Sequence, residues 1–175
     1  MQPAPALAAA LMIGLQLAGP AEAIEPVAAA PVAVPSAIVQ DLAGNPVDLR
    51  ARLTSGDVTV LNFWATWCAP CKREMPTLAA LDEAFVDRSL QVLTVAMDRA
   101  GPDSLRAFTA EAGAERLEIL RDPVMAVSTP YKVSGLPITI VVDAAGNEVF
   151  RHAGFADWSA KPVTEFLEQL LDATH

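Results

Sequence analysis

Residues 58–76 read VTVLNFWATWCAPCKREMP, and the change of period inside that run sets the fold. Val58 to Trp64 is β-branched and aromatic without alternation, which predicts a strand buried on both faces. From Cys68 to about Phe85 the apolar residues Met75, Leu78, Leu81 and Phe85 recur at spacings of three and four, which predicts a helix. Pro76 lies inside it and is expected to kink it. A buried strand therefore delivers the chain into a helix head, and both cysteines of the chain, Cys68 and Cys71, sit on that head. A thiol there meets unpaired backbone N–H groups and the positive end of the helix dipole. Both favour the thiolate, the species that attacks disulfides. Two intervening residues on a first helical turn bring the sulfurs within bridging distance. Cys68, at the more exposed end, is the expected nucleophile, and Cys71 the resolving thiol. Two blander uses of the pair stay open. A purely structural disulfide closing so small a loop removes little unfolded-chain entropy. A metal centre needs more donors than two thiolates, and His152 and His175 are not spaced as partners.

Outward from this segment, strands and helices alternate. Ile38 to Leu49 predicts a small hairpin turning at Ala43-Gly44-Asn45-Pro46. Leu90 to Met97 predicts a second buried strand. Ser104 to Ala112 predicts a helix with Asp103 or Ser104 as N-cap and Gly113 at its end. Leu117 to Leu120 predicts a short strand, and Asp122 to Tyr131 a short helix opened by Pro123. Ile138 to Val142 and Glu148 to His152 predict a hairpin around Asp143–Asn147. A last helix is expected from Ser159, as its cap, to about Leu171, with Val163, Phe166, Leu167 and Leu170 on one face. This order implies an α/β domain with a mixed central β-sheet flanked by helices.

The chain has 175 residues and a formal net charge of −9. That charge argues against nucleic-acid binding, because phosphate contacts need clustered Lys and Arg. Residues 1–23 are expected to be a signal peptide, with an apolar stretch from Ala6 to Ala18, a break at Gly19-Pro20 and a small-x-small cleavage site at Ala21-Glu22-Ala23; an uncleaved membrane anchor is the alternative, for which the apolar stretch is short. The stretch lacks the usual N-terminal Lys or Arg. Residues 24–35 (IEPVAAAPVAVP) are expected to be a Pro/Ala-rich tether, and residues 36–175 the folded domain.

The segment Asn62 to Pro76, together with Tyr131-Lys132-Val133-Ser134-Gly135-Leu136-Pro137-Ile138-Thr139, resembles the TlpA/ResA/DsbE (CcmG) group of thioredoxin-fold thiol–disulfide oxidoreductases. The resemblance implies a thioredoxin fold carrying an N-terminal β-hairpin extension and a βα insertion. It implies that Cys68 and Cys71 form a redox-active disulfide with no organic cofactor and no metal. Pro137 resembles the cis-proline that faces that disulfide, which would turn the Leu136 backbone toward a substrate strand. Trp67 resembles the tryptophan that shapes the docking surface, whereas Trp64 reads as core. Pro70 fits the position that stiffens the loop and tunes its potential. Glu74, three residues beyond the second cysteine, matches an acidic residue that lies near the thiols in these relatives. If buried, it could shuttle the proton exchanged with Cys71. His152, Lys72 and Arg73 are given no catalytic part.

The resemblance further implies a monomeric periplasmic protein that reduces disulfides of partner proteins, either apocytochrome c or a copper-site assembly protein. A membrane thiol donor would supply the electrons. Two alternatives carry their own signatures. A redoxin-type thiol peroxidase wants Pro and Thr or Ser seven and three residues before the reactive cysteine, where this chain has Leu61 and Ala65. A copper chaperone wants a further His or Met beside the thiols.

Overall fold

The computed structural model describes Ile24, Pro26 and residues 29–174, so the signal-peptide expectation lies outside the described residues. In chain order the elements are β1 (Val32–Ala33), β2 (Ile38–Gln40), β3 (Pro46–Asp48), α1 (Leu49–Leu53), β4 (Val58–Trp64), α2 (Ala69–Ala84) and β5 (Leu90–Ala96). Then follow α3 (Pro102–Glu111), β6 (Glu118–Arg121), β7 (Ile138–Asp143), β8 (Asn147–Ala153) and α4 (Lys161–Asp172). The strands form one mixed sheet in the order β1-β8-β7-β4-β5-β6-β2-β3.

β4 sits at its centre, parallel to β5 and antiparallel to β7, and all seven of its residues are buried. Burial on both faces explains why its sequence runs apolar without alternation. The sheet has a core on each side. Val58, Val60 and Trp64 face α2, α3 and α4, whereas Leu61, Phe63, Leu93 and Val95 face α1 and the segment around Val127 and Tyr131. Trp64 is core, as expected, and stacks on Phe108 at 4.8 Å between ring centroids. α2 begins at the residue after the strand-to-helix turn and continues through Pro76.

Several expected boundaries move. The chain from Val32 to Pro35 is no free tether: β1 pairs with β8, the Val34 side chain is buried, and the Tyr131 hydroxyl donates to the Pro35 carbonyl at 2.8 Å. Ile24 is also buried in the core on the helix side. Alternating Val and Ala supplied enough apolar area to dock a segment that its prolines make look unstructured. Leu49 opens α1 rather than ending the hairpin, because Asp48 caps the helix by accepting from the Ala51 N–H at 3.2 Å. α3 begins two residues early, with Gly101 as N-cap and Pro102 in the first turn, where its missing N–H is not needed. Ser159 does not cap α4. It bonds back to Asp157, and Ala160 is the N-cap.

The largest departure is Asp122 to Tyr131, which is a chain of turns and not a helix. The Asp122 carboxylate accepts from the N–H groups of Ala126 and Val127, at 2.9 and 2.8 Å. Met125 takes a φ of 57°, outside the right-handed helical region. Side-chain capture of backbone donors competes directly with a helical ladder.

Candidate active site

β4 ends at Trp64, the chain turns through Ala65-Thr66-Trp67, and Cys68 becomes the N-cap of α2. The turn is pinned by Asp98, at the end of the neighbouring β5. Its Oδ2 accepts from the Thr66 N–H at 2.8 Å and the Thr66 hydroxyl at 2.5 Å, while Oδ1 accepts from the Ala100 N–H at 2.9 Å. Burial disfavours charge on Asp98, but these hydrogen bonds outweigh it and hold the carboxyl below its usual range.

Cys68 and Cys71 are joined as a disulfide, with Cα atoms 5.3 Å apart. The Cys71 N–H donates to Cys68 Sγ at 3.3 Å, so an otherwise unpaired first-turn donor falls on the sulfur expected to carry negative charge. Cys71 is fully buried and Cys68 is 5% exposed. Pro70 occupies the first turn of α2. Trp67, immediately before the nucleophile, is 68% exposed. It forms one wall of a cleft of about 150 Å³ with Met97, Met125, Ser128 and the stretch Val133–Leu136. The Leu136–Pro137 peptide bond is cis. Lys72 pairs with Glu111 at 2.8 Å, and Arg73 lies over the Phe155 ring.

Glu74, one turn beyond Cys71, is fully buried beneath the motif. Its Oε1 accepts from Asn62 Nδ2 at 2.7 Å and its Oε2 from the Ala156 N–H at 3.3 Å. The Trp158 indole N–H faces the same carboxylate without completing a hydrogen bond. Burial pushes the Glu74 pKa up to about 7, and these donors moderate the rise. A carboxyl that changes charge near neutrality can take up or release a thiol proton.

The structure puts the cysteines and Glu74 on α2 and Pro137 after a cis peptide bond, and it adds three supports that the sequence did not single out. Asp98 anchors the turn, Thr139 shares Asn62 with Glu74, and Trp158 closes over the carboxyl. The available signal was Asn62 and Thr139, polar residues inside otherwise apolar strands. Among the described residues, no group of three or more His, Cys, Asp or Glu side chains could hold a metal ion. No helix among them is long and apolar enough to cross a membrane.

Known proteins agree with this geometry. The model of the AhpC/TSA family matches residues 32–149. The thiol:disulfide interchange protein HelX of Rhodobacter capsulatus is 31% identical over 149 residues, covering 85% of this chain and 81% of that one. The thiol-disulfide oxidoreductase ResA of Halalkalibacterium halodurans is 30% identical over 132 residues, covering 75% and 71%. The thioredoxin domain of a thiol-disulfide oxidoreductase from Bacteroides vulgatus superposes with a TM-score of 0.68 over 82% of this chain and 98% of that one, at 23% identity, a likeness of fold. With Cys68 and Cys71 joined at the head of α2 and these relatives named for thiol–disulfide exchange, the chain belongs to the AhpC/TSA family of thioredoxin-like proteins as a thiol–disulfide oxidoreductase of the HelX and ResA type.

Proposed function

We propose that this protein reduces disulfides of partner proteins outside the cytoplasm, with the cysteines of an apocytochrome c or of a copper-site assembly protein as its targets. The observation that carries the reading is a Cys68–Cys71 disulfide that directly follows Trp67, a wall of an apolar cleft, and has a buried, titrating carboxyl one turn beyond Cys71. The Cys68 thiolate attacks one sulfur of the substrate disulfide, forming a Cys68–substrate mixed disulfide and releasing the other substrate sulfur as thiolate. Cys71 passes its proton to Glu74 and attacks Cys68 Sγ. The Cys68–Cys71 bond forms, the mixed disulfide breaks, and the second substrate sulfur leaves as thiolate. The substrate gains two electrons and the enzyme loses two. A membrane thiol donor then returns the enzyme to the dithiol by the same exchange in reverse. Trp67 and the Leu136 backbone hold the substrate strand, Pro137 shapes that wall, and Pro70 limits the loop's freedom.

Cys71→Ser tests the reading. The variant lacks the resolving thiol, so its Cys68–substrate mixed disulfide persists and can be isolated from cell envelopes and identified by mass spectrometry. Captured apocytochrome c or copper-assembly cysteines are expected. Absence of any adduct, with no insulin reduction by the wild type, would overturn it. The peroxidase alternative gains nothing from the site, since Leu61 and Ala65 are buried apolar side chains that offer a peroxide no hydroxyl.

A further inference from the structure

Glu74 is approached by donors on both oxygens, Asn62 Nδ2 on Oε1 and the Ala156 N–H on Oε2. That suits a carboxylate and leaves an acid proton facing N–H groups. The Ala156 amide is backbone and cannot reverse. Asn62 can, because the two ends of a side-chain amide have nearly the same size and opposite hydrogen-bonding character. Its present setting is unbalanced. Nδ2 serves two acceptors, Glu74 Oε1 at 2.7 Å and Thr139 Oγ1 at 2.8 Å, while Oδ1 is buried with no partner at all. Asn62 is fully buried, as is the Glu74 it serves.

We propose that Asn62 is a positioning residue with two settings: its amide donates to the Glu74 carboxylate and, after a half-turn that exchanges Nδ2 and Oδ1, accepts the O–H of the protonated acid, with the Thr139 hydroxyl accepting in the first setting and donating in the second. Each setting makes two hydrogen bonds and leaves one end of the amide unpartnered, so the half-turn sacrifices no bond. The orphaned oxygen is the mark of such a site, since a fixed structural asparagine is ordinarily satisfied at both ends. The inference rests on the reading of Glu74 as the proton carrier and adds the device that lets a buried carboxyl hold either protonation state.

The groups facing Glu74 can be enumerated. Asn62 approaches from β4 with Thr139 of β7 bonded behind it, Ala156 and Trp158 come from the segment before α4, and Cys71 precedes Glu74 by one turn of α2. His152 on β8 is in register with Thr139 and lies edge-on to Trp158. Arg73 is turned onto Phe155 and Lys72 onto Glu111. In the oxidised protein the cysteines do not titrate, so His152 is the group to exclude.

The experiment follows the Asn62 side-chain ¹⁵N signal and the Glu74 carboxyl ¹³C signal by NMR in the oxidised protein with its segment upstream of Val32 intact, from about pH 4 to about pH 9. The two are expected to move together with one midpoint, unchanged in His152→Gln, and the Asn62 signal is expected to lose its pH dependence in Glu74→Gln. Asn62→Leu removes the donor to the charged form and the acceptor to the acid alike, so the Glu74 midpoint is expected to rise by less than about one pH unit, less than tenfold in acidity constant; a larger rise marks a fixed donor and overturns the proposal. An Asn62 signal that stays still while Glu74 titrates, or that follows His152 instead, overturns the proposal, as does a Glu74 that does not titrate in this range. These readouts need no substrate, so failure of the trapping experiment and failure of this one are separate results.

Discussion

The two walls of the active-site cleft are built on opposite principles. One wall is the turn into α2, where regular elements do the positioning: a fully buried strand, a cysteine N-cap, a helix. The other wall, from Asp122 to Pro137, has no regular element at all. Its shape comes from one carboxylate holding two N–H groups and from positive φ at Met125 and Lys132. The first wall holds reactive atoms whose spacing must not vary. Under the proposed function the second meets a polypeptide, and side-chain caps give it a defined shape without the apolar periodicity of a helix. Chemistry sits on the rigid scaffold and recognition on the loop.

Breaking the first wall should have the largest effect. Cys68→Ser removes the attacking thiolate, and insulin reduction is expected to fall at least about a thousandfold, measured by turbidity with a chemical thiol donor. Breaking the second wall should act through stability and binding. Asp122→Ala leaves the Ala126 and Val127 N–H groups without their acceptor, which is expected to cost about 2–4 kcal/mol in urea unfolding. It should raise KM for a protein disulfide more than it lowers kcat.

Glu74 sharpens the contrast by pH. Its pKa is raised from 4.5 to about 7 in the folded protein. Below about pH 4.5 it is protonated in both folded and unfolded chains. Between there and about pH 7 only the unfolded chain ionises, so stability falls as pH rises and levels off above pH 7. The oxidised wild type should lose about 3 kcal/mol across that window, and Glu74→Gln should not. Denaturant midpoints at several pH values test this. Smaller still, Trp67→Ala should raise KM about tenfold for a protein substrate, leave dithiothreitol turnover nearly unchanged, and move stability by less than about 0.5 kcal/mol, because the side chain is mostly exposed.

The same contrast decides what could be read from sequence. Strands β4, β5 and β7 and helix α2 announce themselves by period, because their residues make repeated, equivalent contacts. The cysteine pair follows from α2 by spacing, and Glu74 from the family resemblance, with one helical turn between it and Cys71. Asp122 to Tyr131 looked helical because Pro123 suits a helix start, yet which N–H groups Asp122 would capture depends on the folded loop. Asp98 lies 32 residues from the Thr66 it anchors, and Thr139 lies 77 from Asn62. Such pairings exist only once parallel β5 and antiparallel β7 have been set on either side of β4.

The docked stretch before Ser36 has a practical corollary. A recombinant fragment begun at Ser36, the boundary that composition favours, would discard β1 and the Pro35 carbonyl together. Tyr131 would lose its hydroxyl's acceptor near the recognition wall, and β8 would become a bare sheet margin open to self-association. Clones for biochemistry should begin upstream of Val32.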